Sequence, residues 1–214
     1  MTVVILVAET LAYAGRHSQE ESYGRRKKMS KDSRASMVRS AASLIRTRGV
    51  SATSFSDVLA ASGAPRGSIY HYFPSGKEQL AADAMRWTSD RVLAHQRTCA
   101  ATDAAGVLGC FIDMWRQVVL SSGGTEGCVV AGVAIDTFAR EPGLIDVVRE
   151  TYSSWIDLVA EQLEAVGVPW ARAHSIATAT VAGMEGALIL CRAEGDVGPL
   201  ETVARELKRL LPAG

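Results

Sequence analysis

The chain has 214 residues, 48 % of them hydrophobic and 21 % charged. That composition excludes a disordered chain and leaves enough apolar surface for a sizeable core in one or two domains. Lys plus Arg and Asp plus Glu both number 23, so the net charge is zero and a uniformly basic protein is excluded. Aromatic residues are only 6 %, which leans towards helix and away from an all-β sandwich.

Residues 1–28 read as a weakly structured leader. Its apolar start, Val3 to Ala8, is interrupted by Glu9 and has no basic region before it, so it makes a poor signal peptide. A helix is predicted from Asp32 or Ser33 to Gly49, with Met37, Ala41, Leu44 and Ile45 on one face. Thr53 and Ser54 open a second helix, where Ser54 and Asp57 have the spacing of a capping box, and Ser62-Gly63 closes it. A short third helix starts at Ala64-Pro65 and stops at Pro74-Ser75-Gly76. Longer helices follow, at about Lys77–Arg97, Ala104–Leu120, Cys128–Arg140, Pro142–Gly167, Trp170–Ala193 and Pro199–Leu211. With no hairpin signal and no internal repeat, the expected fold is all-α. A three-helix head over residues 29–80 precedes a larger helical body over 81–214.

The apolar run from Ile176 to Cys191 contains Glu185 and falls short of the roughly 20 residues a membrane span needs, so a cytoplasmic protein is expected. Cys99, Cys110, Cys128 and Cys191 form no C-x-x-C pair and have no His at zinc spacing. They read as reduced thiols packed as small hydrophobes, with no metal and no cofactor implied. A reactive thiol at Cys128, at a helix start, is the alternative.

The charge is segregated. Residues 25–77 carry eleven Lys and Arg against Asp32 and Asp57, a local excess of +9 that the rest of the chain offsets. A basic end on a neutral protein suits a polyanion. Within that end, two short helices joined by Ser62-Gly63-Ala64 have the layout of a helix-turn-helix, whose second helix lies in the DNA major groove. Ile69 and Phe73, four apart, should face inward onto Phe55, Leu59 and Leu44. Arg66, Gly67, Ser68, Tyr70 and His71 are then left on or near the outer face, where donors meet phosphates and base edges. Thr53 and Ser54 at a helix N-terminus form a candidate phosphate site, and Lys77 a candidate backbone clamp.

The stretch from Ala41 to Leu80, above all Gly49-Val50-Ser51-Ala52-Thr53-Ser54-Phe55 and Gly67-Ser68-Ile69-Tyr70-His71-Tyr72-Phe73, resembles the N-terminal domain of TetR-family transcriptional regulators. The likeness spans roughly residues 33–85. It matches the family's aromatic at Tyr70, its hydroxyl at Thr53 and its Lys at Lys77; Tyr72, beside His71, completes the candidate DNA-binding set. It departs by one extra residue in Pro74-Ser75-Gly76-Lys77. Gly127-Cys128-Val129-Val130-Ala131 further resembles the LmrA/YxaF-like subgroup. The resemblance implies a homodimer on double-stranded operator DNA, joined through its last two long helices and released by a small-molecule inducer.

For the dimer interface, Ala173, Ala177, Thr180, Gly183, Ala187 and Leu190 form a small-residue stripe, with a contact inside one chain as the alternative. For an apolar or aromatic ligand, Trp87, Phe111, Trp115, Tyr152, Trp155 and Met184 are candidate pocket walls, and Glu185 and His174 candidate polar contacts. Gly-x-Ser-x-Gly, P-loop, H-E-x-x-H and Rossmann patterns are absent, so no catalytic residues are expected. A ligand-responsive repressor is the leading expectation. A transcriptional activator of the same fold, or a helical small-molecule binder without operator binding, are the alternatives.

Overall fold

The computed structural model describes residues 33–137 and 142–212. The leader, and Phe138 to Glu141 at the end of the sixth predicted helix, lie outside the described residues. Nine helices and no strand occur among the described residues: α1 (33–48), α2 (Phe55–Ser62), α3 (Ser68–Tyr72), α4 (Gly76–Arg97), α5 (Ala104–Ser122), α6 (Val129–Thr137), α7 (Pro142–Ala165), α8 (Trp170–Glu194) and α9 (Gly198–Arg209).

Local sequence accounts for most boundaries. Ser54 caps α2 in the expected capping box with Asp57, and Gly63 ends it at φ 66°, a left-handed turn that glycine adopts at no steric cost. The third helix is shorter than expected. Pro65 belongs to a turn whose carbonyl accepts the Ser68 N–H at 3.0 Å, so α3 has only five residues. Ile69 and Phe73 point inward and are fully buried, as the periodicity predicts. With Met37, Ala41, Ile45 and Val58 they form the core of the head.

In the body, α8 packs on α7 and α9, and α7 on α4. Buried polar groups tie α4 to α7. The Trp155 indole donates to Ser89 Oγ at 3.1 Å, and Gln96 Nε2 donates to Gln162 Oε1 at 2.7 Å. Helix α8 is longer than the apolar run suggested. Its 25 residues are long and apolar enough to cross a membrane by length and composition alone. Here it is a core helix, with Ile176, Val181, Met184 and Leu188 buried.

The cysteine expectation is corrected in one respect. Cys99, just past α4, and Cys110, in α5, are joined in a disulfide with Cα atoms 6.0 Å apart. Their eleven-residue separation brings no recognisable motif, and only the packing of α5 beside the end of α4 makes them neighbours. Cys128 and Cys191 are buried free thiols. Desolvation drives the Cys128 thiol well above its ordinary pKa, the opposite of what a reactive helix-start thiol needs.

Head and body dock through backbone. The Gly127 N–H donates to the Arg46 carbonyl at 3.1 Å, Arg192 donates to the Thr47 carbonyl, and the Ser51 N–H donates to Asp136 Oδ2 at 3.1 Å. Gly49 sits at φ +81°, and a Cβ there would lie 2.4 Å from Asp136 Oδ2. Gly49→Ala is therefore expected to cost about 1–3 kcal/mol in urea unfolding, combining a strained φ with that clash. Gly67→Ala, with open space around its Cβ and φ −75°, should stay within about 0.5 kcal/mol of the parent. Equal losses at the two positions would refute this account of the junction.

Candidate nucleic-acid interface and effector cavity

The outer side of α3 and the turn before it expose Arg66, Gly67, Tyr70 and His71. Tyr70 is 70 % exposed, with its ring edge-on to Phe55 at 5.6 Å, so it is aimed outward yet braced from behind. His71 and Tyr72 stack edge-on at 5.1 Å, and Tyr72 is half-buried against the head core. Ser68 is half-buried and donates its hydroxyl to the Pro65 carbonyl at 2.6 Å. Open space around the Gly67 Cβ position leaves its backbone accessible to a large partner.

Two candidate phosphate contacts are placed differently from each other. Ser54 is exposed, although its Oγ already accepts from the Asp57 N–H at 3.2 Å and donates to Asp57 Oδ2 at 2.6 Å. The Ser54 hydroxyl and the Ser54 N–H, the latter at 2.9 Å, both donate to the Asp57 carboxyl and are the main reason it is held below its usual pKa, with Arg48 adding to them. Thr53 is buried, and its hydroxyl donates inward to the Gly49 carbonyl at 2.7 Å. Its side chain holds the turn after α1 and does not face a ligand. The Lys77 ammonium donates to the Ser51 carbonyl at 3.1 Å, which positions it beside that same turn and leaves two of its protons unspent.

The excess of positive charge is smaller than the segment count implies. Arg34 pairs with Asp83 at 2.6 Å, Arg46 with Glu126 at 2.9 Å and Arg48 with Asp57 at 2.8 Å. Two of those acids lie outside the basic segment, so segment arithmetic missed them. Among the described residues, Arg39 and Arg66 have no ion-pair partner and Lys77 has only a carbonyl.

The candidate pocket residues separate into two groups. Phe111, Tyr152 and Trp155, with Trp115, form one aromatic cluster with ring centroids 5.6–6.5 Å apart. Phe111, Trp155 and Met184 are about 1 % exposed and pack in the core of the body. Trp87 and Trp115 do line a cavity of about 280 Å³, together with Thr88, Arg91, His95 and Met114. Arg91 lies over the Trp87 ring at 5.1 Å, and the Trp115 indole N–H is buried without a hydrogen-bond partner. Sequence reading missed Arg91 and His95. Their spacing from Trp87, at four and eight residues, is the helical signal that places them on the same face of α4.

The small-residue stripe of α8 is a correction. Ala173, Ala177, Thr180 and Ala187 are buried within the single chain. A Cβ on Gly183 would lie 3.2 Å from Val203 of α9, so this face receives α9. Only Leu190 of the set is exposed. The outward face of α8 carries Ser175, Thr178, Ala182, Gly186 and Ile189. His174 is exposed, near Trp170 and 3.8 Å from Asp157, whereas Glu185 is turned inward.

An exposed tyrosine-bearing helix braced on a three-helix head, above an all-helical body, defines a helix-turn-helix DNA-binding regulator. Residues 38–84 match the family described as "Bacterial regulatory proteins, tetR family", and residues 104–206 match "Transcriptional regulator LmrA/YxaF-like, C-terminal domain". An uncharacterized HTH-type transcriptional regulator of Mycobacterium tuberculosis (strain H37Rv) is 40 % identical over 185 residues, covering 84 % of this chain and 94 % of that one. The HTH-type transcriptional regulator LmrA of Bacillus subtilis is 29 % identical over 182 residues, covering 84 % and 97 %. Among solved structures, a TetR regulator from Legionella pneumophila has the same fold, with TM-score 0.75, 23 % identity and 83 % and 96 % of the two chains covered. A mutant of the TetR-family regulator CifR, complexed with 26-bp operator DNA, also has this fold, with TM-score 0.70, 16 % identity and 83 % and 96 % covered. The chain belongs to the TetR family of bacterial transcriptional regulators, and its body is of the LmrA/YxaF-like kind.

The inward hydroxyl of Thr53 gives a direct expectation. Thr53→Val leaves the Gly49 carbonyl short of a partner and should cost about 1–2 kcal/mol in chemical unfolding. The salt dependence of DNA binding by the folded fraction should be unchanged. A reduced salt slope would return Thr53 to the phosphate-binding set.

Proposed function

We propose that this chain is a cytoplasmic, homodimeric repressor. It reads operator DNA with Arg66, Gly67, Tyr70 and His71, clamps the DNA backbone with Lys77, and lets go when a small apolar or aromatic molecule enters the Trp87/Trp115 cavity. It acts by binding and carries no catalytic residues. The observation that supports the ligand reading is the orphaned indole N–H of Trp115, buried just behind the part of that side chain that lines the cavity. A buried donor without a partner is costly, and an acceptor oxygen on a ligand would satisfy it. Arg91 and His95 on the opposite wall favour the same acceptor-bearing ligand. The cavity also borders α4, the helix that starts beside Lys77 and carries Trp87, Arg91 and His95. A ligand that shifts α4 therefore moves a DNA-contacting residue directly.

The outward face of α8, from Ser175 to Ile189 and Leu190, suits the dimer contact, since Ile189 and Leu190 are 56 % and 50 % exposed apolar side chains. Two recognition helices on a symmetric dimer read half-sites about 34–36 Å apart, or multiples of that, so a few ångström of movement costs contacts.

DNA fragments selected from the source genome supply the operator. Lys77→Ala should weaken binding and lower the slope of log affinity against log salt by about one unit. Tyr70→Ala should weaken binding with the slope intact, and both variants should melt as the parent does. A panel of planar apolar acids and carbonyl compounds should quench tryptophan emission and release the operator in the same buffer. Trp115→Phe should abolish the release. A compound that quenches fully yet leaves operator affinity unchanged would break the proposed coupling, because a ligand with equal affinity for both states shifts nothing.

A further inference from the structure

A second cavity, of about 260 Å³, lies where the end of α1 meets α6 and α8. Its apolar walls include Ile45, Ala131, Ile135, Leu188 and Ile189. The charged groups on its rim are already engaged. Arg46 pairs with Glu126, Arg48 with Asp57, Asp136 accepts the Ser51 N–H, and Arg192 donates to the Thr47 carbonyl. Glu185 of α8 is the exception. It lines the cavity, and its Oε2 is buried with no hydrogen-bond partner. Cys128, at the start of α6, and Tyr152, on α7, are the polar side chains set against its carboxyl.

We propose that this junction cavity is a binding site for a small apolar molecule bearing a protonated amine, whose ammonium pairs with Glu185 while its hydrocarbon body lies against Ile45, Ala131 and Leu188. The Cys128 thiol and the Tyr152 hydroxyl offer this carboxylate only neutral donors, and every cation on the rim is held elsewhere. A charged donor satisfies both the hydrogen bond and the charge, and such bonds are about twice as strong as neutral ones. The site is separate from the Trp87/Trp115 cavity, and its ligand is of opposite polarity. It does not depend on the repressor reading, because it is tested on the free protein.

The acid–base behaviour of Glu185 fits this role. Desolvation lifts its pKa to about 7, against smaller opposing contributions from Cys128 and Tyr152. An acid whose native pKa is raised stabilises the fold below its unfolded pKa, and that contribution is lost as pH rises through 7. The groups facing it from the packed elements are Cys128 on α6 and Tyr152 on α7, with both pKa values raised chiefly by desolvation, and the engaged rim charges named above. None supplies a free positive charge.

Benzylamine is a suitable probe and benzyl alcohol its neutral control, each titrated by calorimetry into the full chain without DNA. Benzylamine should bind at least tenfold more tightly than benzyl alcohol at pH 8. Its affinity should fall by roughly tenfold per pH unit below 7, because Glu185 must lose its proton first. Glu185→Gln should bind benzylamine at least tenfold more weakly and show no pH dependence between 5.5 and 8. Trp115→Phe, at the other cavity, should leave benzylamine binding unchanged. Equal affinity for amine and alcohol, a flat pH profile in the parent chain, or no binding at millimolar concentration would each overturn the proposal. Unchanged binding by Glu185→Gln would do the same. The amine–alcohol comparison and the pH profile need no variant, so they decide the matter even if Glu185→Gln folds poorly.

Discussion

The geometry of the molecule depends on how the body completes the C-terminus of α1. A helix leaves its last carbonyls without intrahelical donors. In α1 the Ile45 carbonyl accepts the Gly49 N–H at 2.9 Å, the Arg46 carbonyl accepts the Gly127 N–H at 3.1 Å, and the Thr47 carbonyl accepts from Arg192. The body therefore caps a helix of the head. The Arg192 cation is also favourably placed at the negative end of the helix dipole. Separating head from body would take the donors from two carbonyls and break the Arg46–Glu126 pair. Glycines make the approach close enough. A Cβ on Gly127 would stand 3.5 Å from the Arg46 carbonyl oxygen, and one on Gly132 would stand 3.4 Å from that of Ile45. Tyr70 of α3 abuts Phe55 of α2, and Phe73 at the end of α3 lies under Arg34 of α1, so the head that is held at α1 carries α3 with it.

This junction was poorly legible in the sequence because each contact spans about 80 residues or more. Elements governed by neighbours in the chain were legible. Ser54 and Asp57 gave away the start of α2, and Gly63 its end. The inward turn of Ile69 and Phe73 followed from their spacing. Side chains with two plausible partners were less readable. Thr53 sits where a phosphate-binding hydroxyl would sit, but the left-handed turn at Gly49 presents a nearer acceptor. On α8 small residues cover most of the circumference, so periodicity alone found a stripe and could not tell which neighbour it receives. The answer lay in Val203 and Leu207 of α9, which pack on Gly183. The family resemblance carried what local pattern could not, namely that the basic head reads DNA even though three of its arginines are held in ion pairs.

The same packing explains where the vacant space lies. Between α5 and α7 the rings of Phe111, Trp115, Tyr152 and Trp155 meet edge-on or tilted, and Ser89 satisfies the Trp155 indole. Such an interior is as dense as a molecular crystal and does not deform gradually. A sequence rich in mid-helix aromatics suggests a pocket among them, but here they fill the space between the helices. Two cavities among the described residues, of about 260 and 280 Å³, lie instead beside the head, and Arg46 borders both. One holds an unsatisfied donor, the Trp115 indole, and the other an unsatisfied acceptor, Glu185 Oε2. Each vacancy thus touches Arg46, whose backbone carbonyl and guanidinium both bind the body, through Gly127 and Glu126. A dense core transmits a displacement at its edge as a rigid unit. Space left at the α1 junction therefore couples to head orientation far more directly than the same volume would at the centre of the body.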